Sequence, residues 1–423
     1  MDLKRVIKNL DFSISEKEFK SIKEETKKIV NMLKKNIKNK KIKADVFLGG
    51  SFAKGTLTKS NEYDIDIFIR FDLKTKDIAK ELEKSVLILK KEYKLERVHG
   101  SRDYFKAWKD KKITFEIIPV LKIKRIKEAK NVTDLSYFHV NYVKKNLDKK
   151  KIKELQLTKR FFKANGAYGA ESYIQGFSGY SLECLIIYYK TFENLLRRLS
   201  KIKKGEQIVI DSENKYKNKK EILLELNESK TQSPIILVDP TWKDRNALAA
   251  LSKETFEKFQ EIAKKFLKKP SEKYFEKKEI DIGKIKNEAK KKKDEFLKIE
   301  IYTNRQEGDI AGTKLKKFAN YLEKELSKYY NIRKSEFIYN QNKKAEIYMI
   351  AESRKEIVKN GPPVKMEKAV EAFKKANKSV FIKNKRYYSI EKVKYDARTF
   401  LNNWSKDNKK VMLDMGIIRM KID

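Results

Sequence analysis

Two aspartates one residue apart, Asp64 and Asp66, stand in the run YDIDIFI at residues 63–69, and Glu116 stands in a second apolar run, ITFEIIPVLKI at 113–123. A β-strand sends alternate side chains to opposite faces, so Asp64 and Asp66 share one face while Ile65, Ile67 and Ile69 take the other. The two acids are then about 7 Å apart at the backbone, and like charges held that close cost free energy unless a cation offsets them. A lone acid inside a neighbouring apolar strand needs a partner for a related reason. Three carboxylates on one sheet face form a hard-oxygen site suited to Mg²⁺. Such a site can hold two ions about 3.5–4 Å apart for in-line phosphoryl transfer. Upstream lies GGSFAKGT at 49–56. There Gly49 and Gly50 allow close backbone approach, Ser51 offers a hydroxyl, and the amides of a helix start favour phosphate. No GxxxxGK[ST] is present, so this element is not a P-loop. A pair of solvated acids is the plainer reading of Asp64 and Asp66, and the Gly-Ser element ahead of them weighs against it.

These residues need a scaffold, and hydrophobic periodicity supplies one. The spacing predicts a helix over 14–38 opened by Ser15 as N-cap, strands at 44–50, 63–71 and 113–123, and a helix over 77–93. That is an α/β module with a mixed sheet. From about residue 134 the pattern turns helical, with two long helices around a joint that holds Gly166, Gly169, Gly176 and Gly179. Residues 201–234 read as loop with a short strand at QIVID, followed by a strand over 234–240 and a helix over 247–270 stopped by Pro270. The Lys-heavy stretch at 284–295 reads as a boundary. Beyond it comes a β-α-β-β order, then a helix over 366–376 and a peripheral element over 400–423. The expected domains are 1–133, 134–275 and 276–423.

Composition narrows the partner. The 423 residues carry 102 basic and 60 acidic side chains, a net charge of +42. A surplus of that size suits phosphate neutralisation, and nucleic acid is the leading partner. The basic residues are spread along the chain rather than gathered on one amphipathic helix, which argues against a membrane surface. No apolar run reaches the 18 or so residues that span a bilayer, and the charged start MDLKRVIKNLDFS lacks a signal-peptide core. A single cysteine, Cys184, excludes an internal disulfide framework and a cysteine zinc site, and reads as a core thiol. The expected location is cytoplasmic. His99 and His139 read as structural, with His139 one turn from Ser136 and placed to support a phosphate pocket.

GGSFAKGT followed by DIDIF resembles the signature of the nucleotidyltransferase superfamily that includes poly(A) polymerases and CCA-adding enzymes. KRFFKANGAYGAESYIQGFSGY and VDPTWKDRNALAALS look like the class I, archaeal-type CCA-adding enzymes, with block order kept from about 14 to 400. The resemblance implies a multidomain α/β fold: a nucleotidyltransferase palm with a mixed sheet, a central helical domain and C-terminal α+β domains that bind RNA. It implies that Asp64, Asp66 and Glu116 are catalytic metal ligands for Mg²⁺, two ions being expected. It implies that Gly50, Ser51, Lys54, Ser136, Lys159 and Tyr168 surround the triphosphate of CTP or ATP, and that Arg245 reads the base. Cytosine and adenine both present an amine donor beside a ring-nitrogen acceptor, so a guanidinium donating to that nitrogen admits C and A. Site-built hydrogen bonds of this kind can discriminate by around 10⁴–10⁵. The implied partner is the acceptor end of tRNA, with a homodimer as the implied assembly. Three departures stand out: Glu116 where the family has Asp, Lys54 where Arg is common, and SRDYFKA at 101–107 where many relatives have His-Pro-Tyr. The C-terminus is also short beside the family's. Poly(A) polymerase-like chemistry, oligonucleotide synthesis and an RNA-binding protein with an inactive head are the alternative readings.

Overall fold

The acid-bearing run becomes a central strand because its odd-numbered members are isoleucines and aromatics that one layer of helices can bury. The computed structural model describes residues 3–110, 112–277 and 279–423. In chain order the first part runs α1 (Leu3–Lys8), α2 (Glu16–Asn39), β1 (Ala44–Leu48), α3 (Gly50–Lys54), β2 (Tyr63–Phe71), α4 (Ile78–Val86), β3 (Lys94–Val98), β4 (Tyr104–Trp108) and β5 (Ile113–Leu121). The five strands form one sheet in the order β1-β2-β5-β4-β3, in which β2 and β5 are parallel and the other pairs antiparallel. Helix α2 opens at Ser15, whose hydroxyl accepts from the Glu18 N–H. Ile22, Ile29 and Leu33 of α2 and Leu82 and Val86 of α4 bury Ile65, Ile67 and Ile69, all at 0% exposure.

Helix α4 ends at Val86 and gives way to a 3₁₀ turn, short of the expected residue 93. The hairpin β3–β4 was not expected. Strand β3 (KLERV) lies at the sheet edge and is largely exposed, so it lacks the alternation that marks a half-buried strand.

Next come α5 (Ser136–Asn146), α6 (Lys149–Ala164), α7 (Gly179–Tyr189), α8 (Phe192–Ser200), β6 (Ile208–Ile210), α9 (Lys219–Glu225), α10 (Glu228–Thr231), β7 (Ile235–Leu237) and α11 (Lys253–Lys268). Their core is rich in phenylalanine: Phe161 meets Phe192 edge-on at 5.3 Å between ring centres, and Phe177, Phe259, Phe266 and Phe275 are buried with them. The stretch 201–234, expected as loop, contains α9 and α10. Helix α11 starts at Lys253 rather than 247, because Ser252 caps it and the side chain of Asn246 accepts the Leu237 and Leu248 N–H groups in a preceding turn.

The remainder runs α12 (Ile282–Lys292), β8 (Glu295–Tyr302), α13 (Asp309–Ser327), β9 (Tyr330–Tyr339), β10 (Lys344–Ser353), β11 (Glu356–Pro363), α14 (Glu367–Ala376), β12 (Val380–Lys383), β13 (Arg386–Lys392), α15 (Ala397–Asp407), α16 (Lys409–Asp414) and β14 (Arg419–Ile422). It holds two antiparallel sheets, ordered β14-β8-β10-β9 and β11-β13-β12. The Lys-heavy stretch read as a boundary is itself helix α12, since Ile285 and Ala289, four residues apart, are buried with Tyr348 and Ile350 of β10. One expectation fails here. The C-terminal residues are not peripheral: β14 pairs with β8, and Leu401, Trp404, Met412 and Ile417 are buried in the same core as Ile299 and Phe318.

By backbone proximity the chain forms two units. One takes in the chain as far as Ala170 and resumes at Ile174; the other holds Glu171–Tyr173 and Glu279–Asp423. Among the described residues, no helix is long and apolar enough to cross a membrane.

Candidate active site

Strand pairing decides where the acids stand. Parallel register sets Asp66 of β2 opposite Glu116 of β5, and antiparallel register sets Glu116 opposite Lys106 of β4, so all three side chains and Asp64 share one face. Asp64 is exposed, whereas Asp66 and Glu116 are half-buried. Loss of hydration, aided by the charges of Glu116 and Asp64, pushes the Asp66 carboxyl up to about 7. Dehydration likewise raises Asp64 and Glu116, with Lys106 opposing it at both.

The carboxylates are not drawn into one cage. Glu116 Oε1 lies 3.2 Å from Lys106 Nζ, and among the described residues no three His, Cys, Asp or Glu side chains converge on a common point. The register that brings Glu116 beside Asp66 also gives it a lysine of its own. The donor set nevertheless fits a hard divalent cation: several carboxylates on one face, partly dehydrated and mutually repelling.

The glycine turn lies against these acids. The Gly49 N–H donates to the Asp66 carbonyl at 2.9 Å, which fastens the start of α3 to β2. Gly50 has φ +61°, and a Cβ built on it would come 1.6 Å from Asp66 Oδ2. Only a residue without a side chain leaves room for that carboxylate. Ser51 follows in the first turn of α3, and Lys54 closes the helix.

Lys54 meets Lys159 at a shared counter-ion. Lys54 Nζ lies 2.5 Å from Glu183 Oε2, while Lys159 Nζ lies 3.1 Å from Glu183 Oε1 and 3.1 Å from Thr56 Oγ1. The Lys54 charge also bears on Asp66 and on His139.

A second buried acid organises the base-reading candidate. Asp239 is fully buried, and its Oδ2 accepts from Arg245 Nη1 at 2.6 Å and meets His139 Nε2 at 3.1 Å. Its Oδ1 accepts from the Tyr180 hydroxyl at 2.9 Å and from Thr241. Burial alone would raise the Asp239 carboxyl, but His139 and Arg245 hold it well below the usual range. Burial pulls the His139 imidazole below its ordinary value, and its ring stacks on Tyr180 at 4.0 Å. Ser136 is the first residue of α5, three before His139. Tyr168 lies in the glycine-rich joint, where it bridges to Phe177 and Lys163 Nζ sits 4.8 Å over its ring. Its hydroxyl reaches Gly179, where a Cβ would come 2.9 Å away. His99 lies 3.0 Å from Asp103. Burial pushes the Cys184 thiol up, which makes it inert as a nucleophile.

Comparison with known proteins follows from this geometry. Residues 1–136 match the model of the Second Messenger Oligonucleotide or Dinucleotide Synthetase domain, and residues 153–276 that of the tRNA nucleotidyltransferase second domain. A CCA-adding enzyme of Saccharolobus islandicus is 30% identical over 398 residues, covering 91% of this chain and 90% of that protein. The chain belongs to the CCA-adding enzyme family. Another member, from Nanoarchaeum equitans, is 44% identical over 216 residues, 50% of this chain and 52% of that protein. The fold is shared more widely. A solved structure of Cid1, titled for its RNA terminal uridylyl transferase activity, superposes with a TM-score of 0.50 at 14% identity, covering 66% of this chain and 98% of that one. That likeness shows the fold alone.

Three acids in this family member escaped the sequence reading. Glu183 could have been found by the signal that exposed Glu116, an acid inside an apolar run (SLECLIIYY). Asp239 ends the buried run IILVD. Asp134 is buried and accepts a two-pronged contact from Arg102 together with the N–H groups of Leu121, Lys130 and Asn131. It fixes the divergent SRDYFKA segment to the turn that leads into α5.

Proposed function

We propose that this chain adds C, C and A from CTP and ATP to the 3′ end of tRNA, without a nucleic-acid template and with release of pyrophosphate. The near end-to-end match to a CCA-adding enzyme carries the proposal, and the site geometry supports it. Asp64, Asp66 and Glu116 would hold Mg²⁺, two ions on this reading, which supplies activation of the primer hydroxyl and charge neutralisation on the leaving pyrophosphate. The chain's own contribution is binding and orientation. The Gly49–Gly50 turn packs against the Asp66 carboxylate, and on this reading Ser51 and the first amides of α3 donate to phosphate oxygens. Lys54 at the end of α3 and Ser136, Lys159 and Tyr168 from the central elements add further triphosphate contacts.

Arg245, braced by Asp239, donates to the ring nitrogen that cytosine and adenine both present as acceptor. Uracil and guanine oppose that donor with an N–H of their own, which costs the site a buried unpaired group. The head (1–133) performs the chemistry on this reading, the helical part (134–275) selects the nucleotide, and residues 276–423 contact tRNA. A homodimer and a cytoplasmic location complete the proposal.

The test mixes protein, a tRNA transcript lacking CCA, CTP, ATP and Mg²⁺, and sequences the product ends. The expected product ends in CCA, with UTP and GTP rejected. A ladder from ATP alone would place the chain with poly(A) polymerases, and salt-sensitive tRNA binding with no incorporation would make it an inactive-head binding protein.

A further inference from the structure

Helix α7 carries one acid in an otherwise apolar and hydroxyl-bearing sequence, and that acid is turned wholly inward. The Glu183 side chain is 1% exposed. It gathers partners from three places: Lys54 at the end of α3, Thr56 two residues later, and Lys159 in the middle of α6. The Thr56 hydroxyl donates to Glu183 Oε1 at 3.1 Å and in turn accepts from Lys159 Nζ at 3.1 Å. Both carboxylate oxygens are thus engaged within the protein, and Glu183 presents no free oxygen to a ligand.

The electrostatics of this cluster are lopsided. Two ammonium groups share one carboxylate, so the cluster keeps a net positive charge. Burial pulls the Lys159 ammonium down, and Glu183 is what opposes it. Burial would raise the Glu183 carboxyl, but Lys54 and Lys159 bring it below its ordinary value. A buried ion cluster is a poor device for stability alone, because well-packed apolar residues do as well or better. Its particular property is that it fixes where charges stand. Here it fixes two cations, one of them, Lys54, at the end of the helix that the Gly49–Gly50 turn begins, where its charge bears on Asp66.

Resting on the proposal that Lys54 and Lys159 contact the triphosphate, we infer that Glu183 is a positioning residue that presents the two ammonium groups as one preset pair to the polyphosphate of the incoming nucleotide. It links the end of α3, whose start is tied to β2 by the Gly49 N–H, to α6 and α7, so that metal ligands and phosphate contacts keep a common frame. Losing Glu183 frees both lysines to move and leaves Lys159 an unpaired buried charge.

Glu183→Gln and Glu183→Asp in the full chain test this with two measurements. Equilibrium dialysis of labelled CTP with Mg²⁺ and no tRNA gives the nucleotide Kd, and extension of tRNA lacking CCA gives KM and kcat. Glu183→Gln is expected to raise Kd and KM about tenfold or more, as loss of charge-assisted hydrogen bonds does, with a smaller change in kcat. Glu183→Asp restores the charge one methylene short and should recover part of the loss, while tRNA affinity is unchanged in both variants. Unchanged Kd and KM, or a fall in kcat and tRNA affinity with KM intact, would overturn the inference. Should Glu183→Gln lose its cooperative melting transition, Glu183→Asp decides: a raised KM supports the role and an unaltered one refutes it. If the parent chain binds CTP yet extends no tRNA, the functional proposal fails while dialysis still reads the role of Glu183.

Discussion

Asp66 sits at the junction of every feature that makes the head a candidate site. Its carbonyl takes the Gly49 N–H, its carboxylate occupies the space Gly50 leaves open, and its strand partner is Glu116. Dehydration and two like charges raise its carboxyl to about 7, so its anionic form is the one a bound cation would favour. Asp66→Asn keeps the shape and removes the charge. It is expected to abolish CCA extension, a loss of at least about 10³ in rate, while tRNA affinity by fluorescence anisotropy stays at the parent value. Retained extension would refute a metal-binding role. The Asp64–Asp66 pair was legible in the sequence because strand periodicity puts residues i and i+2 on one face. The ion pair that Glu116 makes with Lys106 was not, because it depends on which strand lies next to β5.

At the scale of elements, the parts read correctly were those with strong local patterns. Strand β2 carries unbroken alternation around its aspartates, and α2 carries both a capping serine and an amphipathic face. The parts misread were those defined by what they pack against. Hairpin β3–β4 lies at an exposed edge, α12 shows only its lysines until two of its residues meet β10, and β14 looks like a tail until it pairs with β8. Leu401 of α15 tests that last point, since it is fully buried with Ile299 and Phe318. Leu401→Ala should cost about 3 kcal/mol, the usual range for a cavity in a closed core. Urea unfolding of the full chain would show the loss, whereas a peripheral α15 would give a change near zero.

For the whole molecule, charge is the dominant quantity. A net charge of +42 exceeds what solubility asks of a chain this size, and it is carried mostly by lysines. If those lysines meet tRNA phosphates, log affinity falls linearly with log salt. A loss on the order of 10³ is expected between roughly 50 and 200 mM salt for six or more phosphate contacts. Filter binding with the same CCA-lacking transcript measures it, and a flat profile would mean that the charge serves no phosphate contact.

The sequence by itself determined the local periodicities, the pairing of two aspartates on one face, the phosphate-friendly turn and the family, since block order and motif are properties of the chain. Only the tertiary structure decided which charges answer one another. Glu183 between Lys54 and Lys159, and Asp239 beside His139, join residues 24 to 129 positions apart. No local pattern encodes such a pairing, because it is set by which helices close over which sheet. Burial then makes the pairing obligatory, since an unpaired charge inside a protein costs far more than one left in water.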